Sequence, residues 1–229
     1  MVGGFRCVEC GFEAAELYRD YKHGVIKLAI CERCRNPVDK YIEYDPVIIF
    51  IDTLLCKAPA YRHVIFNTRI DVHWKVSVFC LLCKAYTYWT QLKQPLAVGE
   101  APPGGPAAIV RSAMEWDFYC LCAASTLELL SFLGAMWCVL LLWKVLCDHA
   151  TLLRALLLSN YGELMLVPAI IWEHEHAPFC LPLIRLFALA SNAQALHVVL
   201  DCTWSLACST VLVGFLAERA VVSVLRPLG

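Results

Sequence analysis

The sequence predicts an α-helical multi-pass membrane protein with a small zinc-ribbon β module at its N-terminus. Three observations carry that prediction. Of the 229 residues, 60% are hydrophobic and only 17% charged, with a mean hydropathy of +0.61. A soluble domain sits nearer half apolar and a quarter charged, so the surplus calls for a solvent other than water. The charges crowd into residues 1–44, whereas the second half contains long runs with one charge or none. Four cysteines near the N-terminus have the spacing of a structural metal site. The net charge of −1 argues against a nucleic-acid binder, which shows a basic surplus.

The metal motif comes first along the chain. Cys7-Val8-Glu9-Cys10 and Cys31-Glu32-Arg33-Cys34 read C-x2-C-x20-C-x2-C. Each C-x2-C turn presents two thiolates to one ion, and two such turns close a tetrahedral shell around a structural Zn2+. Between them, Leu17 to Tyr21 reads as a strand, Lys22-His23-Gly24 as a turn, and Val25 to Ile30 as a second strand with Ile26, Leu28 and Ile30 on one face. Residues 5–36 are thus expected to fold as a zinc ribbon held by its metal, because so short a segment buries little apolar surface. Met1 to Arg6 leave no room for a secretory signal before Cys7, so the module is expected in the cytosol, where thiols stay reduced. Two disulfides, or unpartnered thiols, are the alternative. A closed shell of four cysteines leaves no open position for a substrate and predicts a scaffold.

Asp45-Pro46 marks a helix start, with the acid as cap and proline in the first turn. The apolar runs Val47–Cys56 and Val76–Leu82 are too short to span a bilayer, which takes about 20 residues. Trp74, Tyr86, Tyr88 and Trp89 flank the second run, as expected at a membrane–water interface. Residues 1–44 therefore read as the ribbon module and 45–93 as interfacial or re-entrant amphipathic helices. A short spanning hairpin is the alternative for that second region. Residues 94–108 read as a Pro/Gly linker that no helix or strand continues through. Residues 109–229 read as a transmembrane bundle of about four spans: 118–143, 152–172, 179–200 and 202–225. An even number of spans, with Arg219 and Arg226 at the far end, predicts both chain ends on the cytosolic side.

Glu163 and Arg185 fall inside consecutive spans at similar depth and are expected to pair; separate snorkelling, or a protonated Glu163, is the alternative. Cys56, Cys80, Cys83, Cys120, Cys122, Cys138, Cys180, Cys202 and Cys208 read as small buried hydrophobes, with Cys147 exposed. Glu173-His174-Glu175-His176 is not HExxH: its histidines are two residues apart, and a solvated turn is the expected role. No nucleophile elbow, P-loop or dinucleotide fingerprint is present, and no enzymatic activity or catalytic residue is expected.

Beyond the metal spacing, several strings resemble the homology domain of the Arv family: Glu16 to Tyr21, His23-Gly24, and Pro37 to Asp45. Tyr61-Arg62-His63, Glu115 to Tyr119 and Pro168 to His174 extend the likeness, which thins after about residue 200. The resemblance implies an endoplasmic reticulum membrane protein that mediates sterol homeostasis and intracellular sterol transport, and that affects sphingolipid metabolism. Membrane lipids, sterols first, are the implied partners. An accessory factor whose ribbon docks GPI-anchor biosynthesis proteins is the alternative. Only Cys7, Cys10, Cys31 and Cys34 carry over as functional residues.

Overall fold

The computed structural model describes residues 4–21, 25–68, 73–98, 107–145, 148–165 and 177–225. The expected turns at 22–24 and 173–176, Cys147, Pro168 and the centre of the linker lie outside the described residues. The protein is a mostly helical membrane protein with a small β region at its N-terminus.

Strand β1 (Phe5–Arg6) pairs antiparallel with β2 (Glu13–Ala14), and β3 (Tyr18–Tyr21) with β4 (Val25–Leu28). Tyr18 stands opposite Leu28, and Tyr21 opposite Val25. The β3–β4 pairing matches the sequence expectation, but Ile26 and Ile30 are both exposed, because a lone two-stranded sheet has nothing to cover its face. The core of this region is instead Leu17 and Val38 packed around Cys7 and Cys31.

Helix α1 (Pro46–Leu54) starts where expected: Val47 N donates to Asp45 Oδ1 at 2.8 Å, and Pro46 occupies the first turn. It stops at Cys56, whose φ of +52° lies in the left-handed region that ends helices. Helix α2 (Ala58–Arg62) and a π-helical turn (His63–Asn67) follow. The region expected as interfacial or re-entrant amphipathic helices thus opens with three short helical pieces.

Helix α3 (His73–Val98) runs through Pro95, and α4 (Ala107–Leu142) begins before residue 108. Both helices therefore intrude on the expected 94–108 linker. Helix α5 (His149–Ser159) continues as a 3-10 helix (Asn160–Met165), and α6 (Ala177–Leu200) and α7 (Trp204–Leu225) complete the bundle. Among the described residues, three segments are long and apolar enough to cross a membrane: Trp116–Leu142, Pro182–Leu200 and Trp204–Val224.

The span expected at 152–172 differs. Its α-helix ends at Ser159 because polar side chains there bond across to α6 instead of supporting another turn. Ser159 Oγ donates to Asn192 Oδ1 at 2.6 Å, and Asn192 Nδ2 to Asn160 Oδ1 at 3.0 Å. Gly162 then lies so close to α6 that an added Cβ would sit 2.7 Å from Phe187. At about 1.5 Å per α-helical and 2.0 Å per 3-10 residue, the two pieces together cover roughly 28 Å, close to a bilayer core of about 30 Å.

Contacts order the bundle by depth. Leu140 near the end of α4, Leu152 early in α5, Leu196 near the end of α6 and Ala207 early in α7 share one cluster. Glu163, Arg185 and Glu218 line one cavity at another level, and Lys84 of the same cavity reaches Glu128. Helix α3 covers the same interval: Ser77 Oγ bonds Leu157 O, Lys84 meets Glu128 and Glu218, and Tyr88 OH accepts from Arg185. It therefore packs against the bundle helices, contacts that the reading of 45–93 as interfacial or re-entrant helices did not anticipate. The sequence concealed this because only one face is apolar outward, through Trp74, Val78, Phe79, Leu82 and Tyr86, while Ser77, Cys80, Lys84 and Thr87 point inward. Cys80 is buried as expected, but Cys120, Cys138 and Cys208 are exposed on outer helix faces, where a small apolar residue meets lipid. The side chain of Cys180 lies outside the described residues.

The depth order fixes where the chain ends sit. Ile65 packs with Ala155 and Val198, so the β region hangs at the end of the bundle where α6 stops. Helix α7 runs back from there and finishes at the opposite end. If α3 crosses the membrane alongside the helices it packs against, the two chain ends lie on opposite sides, contrary to the expectation of one shared side. Protease added to sealed vesicles should remove a tag at one terminus only; removal of both tags from the same side would exclude a traversing α3.

Candidate metal centre and its mounting

The two C-x2-C segments fold into matching knuckles. In the first, Cys7 N donates to Phe12 O at 2.8 Å and Gly11 N to Cys7 O at 2.9 Å. In the second, Cys31 N donates to Asn36 O and Arg35 N to Cys31 O, both at 2.9 Å. Each knuckle closes through a left-handed residue four positions after its first cysteine: Gly11 with φ +74° and Arg35 with φ +59°. Glycine takes that conformation freely, and arginine holds it here against its steric preference.

The knuckles bring all four sulfurs together, each within 4.8 Å of the others. Cys7 Sγ lies 3.6 Å from Cys34 Sγ, and Cys10 Sγ 3.6 Å from Cys31 Sγ. All four are free thiols, so the disulfide alternative does not hold. The edge of a tetrahedron with metal–sulfur bonds of about 2.3 Å is about 3.8 Å, which these separations approach. Burial pushes the Cys7 thiol up to about 12 and raises that of Cys10 as well. Backbone N–H groups of Cys34 and Arg33 draw Cys31 down to about 7. Four thiolates packed this closely need a cation among them, and a closed all-sulfur shell suits a soft or borderline metal. The cluster can therefore hold one metal ion.

Nothing in the cysteine spacing revealed how this module is mounted. Asp39 is fully buried and accepts three hydrogen bonds: from Tyr41 N at 3.0 Å, His63 Nδ1 at 2.7 Å and Asn67 Nδ2 at 2.7 Å. Asn67 also pairs with the Arg6 backbone on both sides, accepting from N and donating to O at 2.8 Å each. Its side chain thereby extends β1 as a neighbouring strand would. Arg62 Nη1 donates to Val8 O and Glu9 O, the carbonyls between the first two cysteines. The Arg6 guanidinium stands 4.2 Å over the Phe66 ring. On the other side of the same turn, Tyr61 OH donates to Ser191 Oγ at 2.8 Å, which donates onward to Ser159 O. Residues 61–67 thus bolt the metal module to the helical bundle.

The bundle holds a second polar constellation. Glu163 and Arg185, expected to pair, line one cavity together with Lys84 and Glu218. They form no ion pair; Arg185 Nη2 donates instead to Tyr88 OH at 2.9 Å. Lys84 makes the ion pairs, at 2.9 Å to both Glu128 and Glu218. The sequence did not single it out because its helix is not uniformly apolar.

Comparison with known proteins gives a consistent picture. The family described as Arv1-like matches residues 6–196, covering both the cysteine cluster and most of the bundle. The chain is 48% identical over 223 residues to "Protein ARV1" of Mus musculus, covering 95% of this chain and 82% of that relative. It is 47% identical to "Protein ARV1" of Homo sapiens over 95% of this chain and 80% of that one. It is 30% identical to "Protein arv1 homolog" of Dictyostelium discoideum over 96% and 94%. No solved structure matches.

Proposed function

The chain belongs to the Arv1-like family, and from that premise we propose that it mediates sterol homeostasis and intracellular sterol distribution at the endoplasmic reticulum membrane, with an effect on sphingolipid metabolism. The metal in its N-terminal cluster is structural Zn2+, and that module faces the cytosol, where thiols stay reduced. The observation that carries this reading is the direct mounting of the four-cysteine module on a lipid-facing bundle through Arg62, His63 and Asn67. Beside that mount, α1 exposes Val47, Ile48 and Ile51, its capping residue Leu55 is exposed too, and α3 exposes Trp74, Val78 and Phe79. Sterols and other membrane lipids would meet the protein along these faces. We assign it no reaction of its own.

A second reading is favoured by one feature. The outer side of the module carries a groove of about 720 Å³, lined by Phe12, Glu16, Tyr21, Lys27 and Ile30 among others. Mixed charge and exposed aromatics suit a protein partner, which on this reading belongs to the GPI-anchor biosynthesis machinery.

Loss of the protein should shift sterol between the endoplasmic reticulum and the plasma membrane, and Cys7→Ser with Cys10→Ser should reproduce most of that shift. Measuring sterol in purified membranes checks this. Full rescue of null cells by a variant lacking residues 1–44 would overturn the proposal. A defect confined to GPI-anchored proteins would favour the second reading.

A further inference from the structure

The polar constellation inside the bundle has a charge imbalance. Among the described residues, five charged side chains from five elements gather there: Lys84 of α3, Glu128 of α4, Glu163 of the 3-10 helix, Arg185 of α6 and Glu218 of α7. The other titratable groups facing them are Tyr88, Cys80 and Cys83, all on α3 and neutral in their ordinary forms. Among the described residues, two basic and three acidic side chains leave one negative charge in excess. Glu128 lies roughly midway along the Trp116–Leu142 span, so the excess sits deep in the membrane, where an uncompensated charge is disfavoured.

The three acids are not equivalent. Glu128 and Glu218 each have the Lys84 ammonium at 2.9 Å, and of the two only Glu218 accepts its hydrogen bond. Glu163 makes no ion pair or hydrogen bond among the described residues, since Arg185 turns to Tyr88. Its carboxyl faces a cavity of about 50 Å³ that Ser77, Asn160 and Asn192 also line. That exceeds the roughly 10–15 Å³ that a single water requires, so the cavity can hold water through which a proton reaches the carboxyl.

We propose that this cluster is an intramembrane proton-binding site, with the exchangeable proton on the Glu163 carboxylate. Binding converts Glu163 from carboxylate to carboxylic acid, takes the proton from cavity water and brings the cluster to neutrality. By net charge Lys84 and Arg185 balance two of the three acids, and Glu163, which has neither cation at ion-pair distance, is left to the proton. The site depends on the bundle alone and stands whether or not the lipid role proposed above is correct.

The test is infrared spectroscopy of the full chain in lipid nanodiscs, reading the C=O stretch of protonated carboxyls and its shift in D2O across a pH series. The wild type should show one protonated carboxyl near neutral pH that disappears as pH rises. Glu163→Gln, which preserves shape, should lose it. Lys84→Met should gain a second, because removing a cation calls for another proton. Gel filtration and helical circular dichroism check that each variant is folded, and the wild-type titration decides the matter if a variant is not. Absence of a protonated carboxyl at neutral pH would overturn the proposal, as would its persistence in folded Glu163→Gln. A signal that appears only when sodium is withdrawn would also overturn it, in favour of a metal cation.

Discussion

Cys31→Ser should strip the metal and unfold the N-terminal module while leaving the helical bundle intact. The module has almost no core of its own beyond Leu17 and Val38, and those residues pack on Cys7 and Cys31 themselves. Metal binding is therefore its folding energy; for structural zinc in small modules that amounts to about 10–16 kcal/mol at neutral pH. A serine hydroxyl cannot complete an all-thiolate shell, so the effect should be all-or-none. Elemental analysis should give one zinc per purified wild-type chain and none in the variant. Hydrogen exchange should show amides of residues 5–38 unprotected in the variant, with helices α4 to α7 unchanged. Folded wild-type protein without zinc would contradict this account, as would a variant whose knuckle amides at Gly11 and Arg35 remain protected.

Asp39→Ala should detach the module without emptying it. The substitution leaves three donors unpaired in a site closed to water, which should cost on the order of 3 kcal/mol. None of the four cysteines is touched, so metal content should be unchanged. Exchange at the Arg6 and Tyr41 amides should rise sharply, because Asn67 loses the carboxylate that orients it. Asp39→Asn, which keeps one acceptor oxygen, should fall between the two. Unaltered exchange at Arg6 and Tyr41 in Asp39→Ala would show that Arg62 and Phe66 hold the module by themselves.

How much of this was legible in the sequence follows from the range of each interaction. The knuckles are local: two cysteines, a turn and a return, all within six residues, so spacing alone identifies them. The start of α1 is local as well, written in Asp45-Pro46. The mounting is not. Arg62 reaches carbonyls 54 and 53 residues away, and Asn67 reaches a strand 61 residues away. No spacing rule marks such partners, although Tyr61-Arg62-His63 was visible as part of a family resemblance. The break in the second expected span had a signal that hydropathy overrode: Ser159-Asn160-Tyr161-Gly162 is a turn-like string inside an apolar run. Helix α3 failed for a different reason. Its lipid-facing and core-facing residues alternate around one cylinder, so averaging over a window dilutes both signals. Glu163 and Arg185 were correctly read as interior groups, but pairwise reasoning could not see that Lys84 had already organised the acids.

The latch at residues 61–67 also sets an order of events during synthesis. The four cysteines, Asp39, Arg62 and Asn67 all leave the ribosome before any of α4 to α7, so the metal module can close and seat itself on its own turn early. Tyr61, on the same turn, must wait for Ser191, 130 residues further on. At about 5–20 residues per second, that delay is roughly 6–26 s. A nascent chain should therefore acquire a protease-resistant head long before it acquires a resistant membrane body. A folding defect in α6 should leave that head intact but untethered.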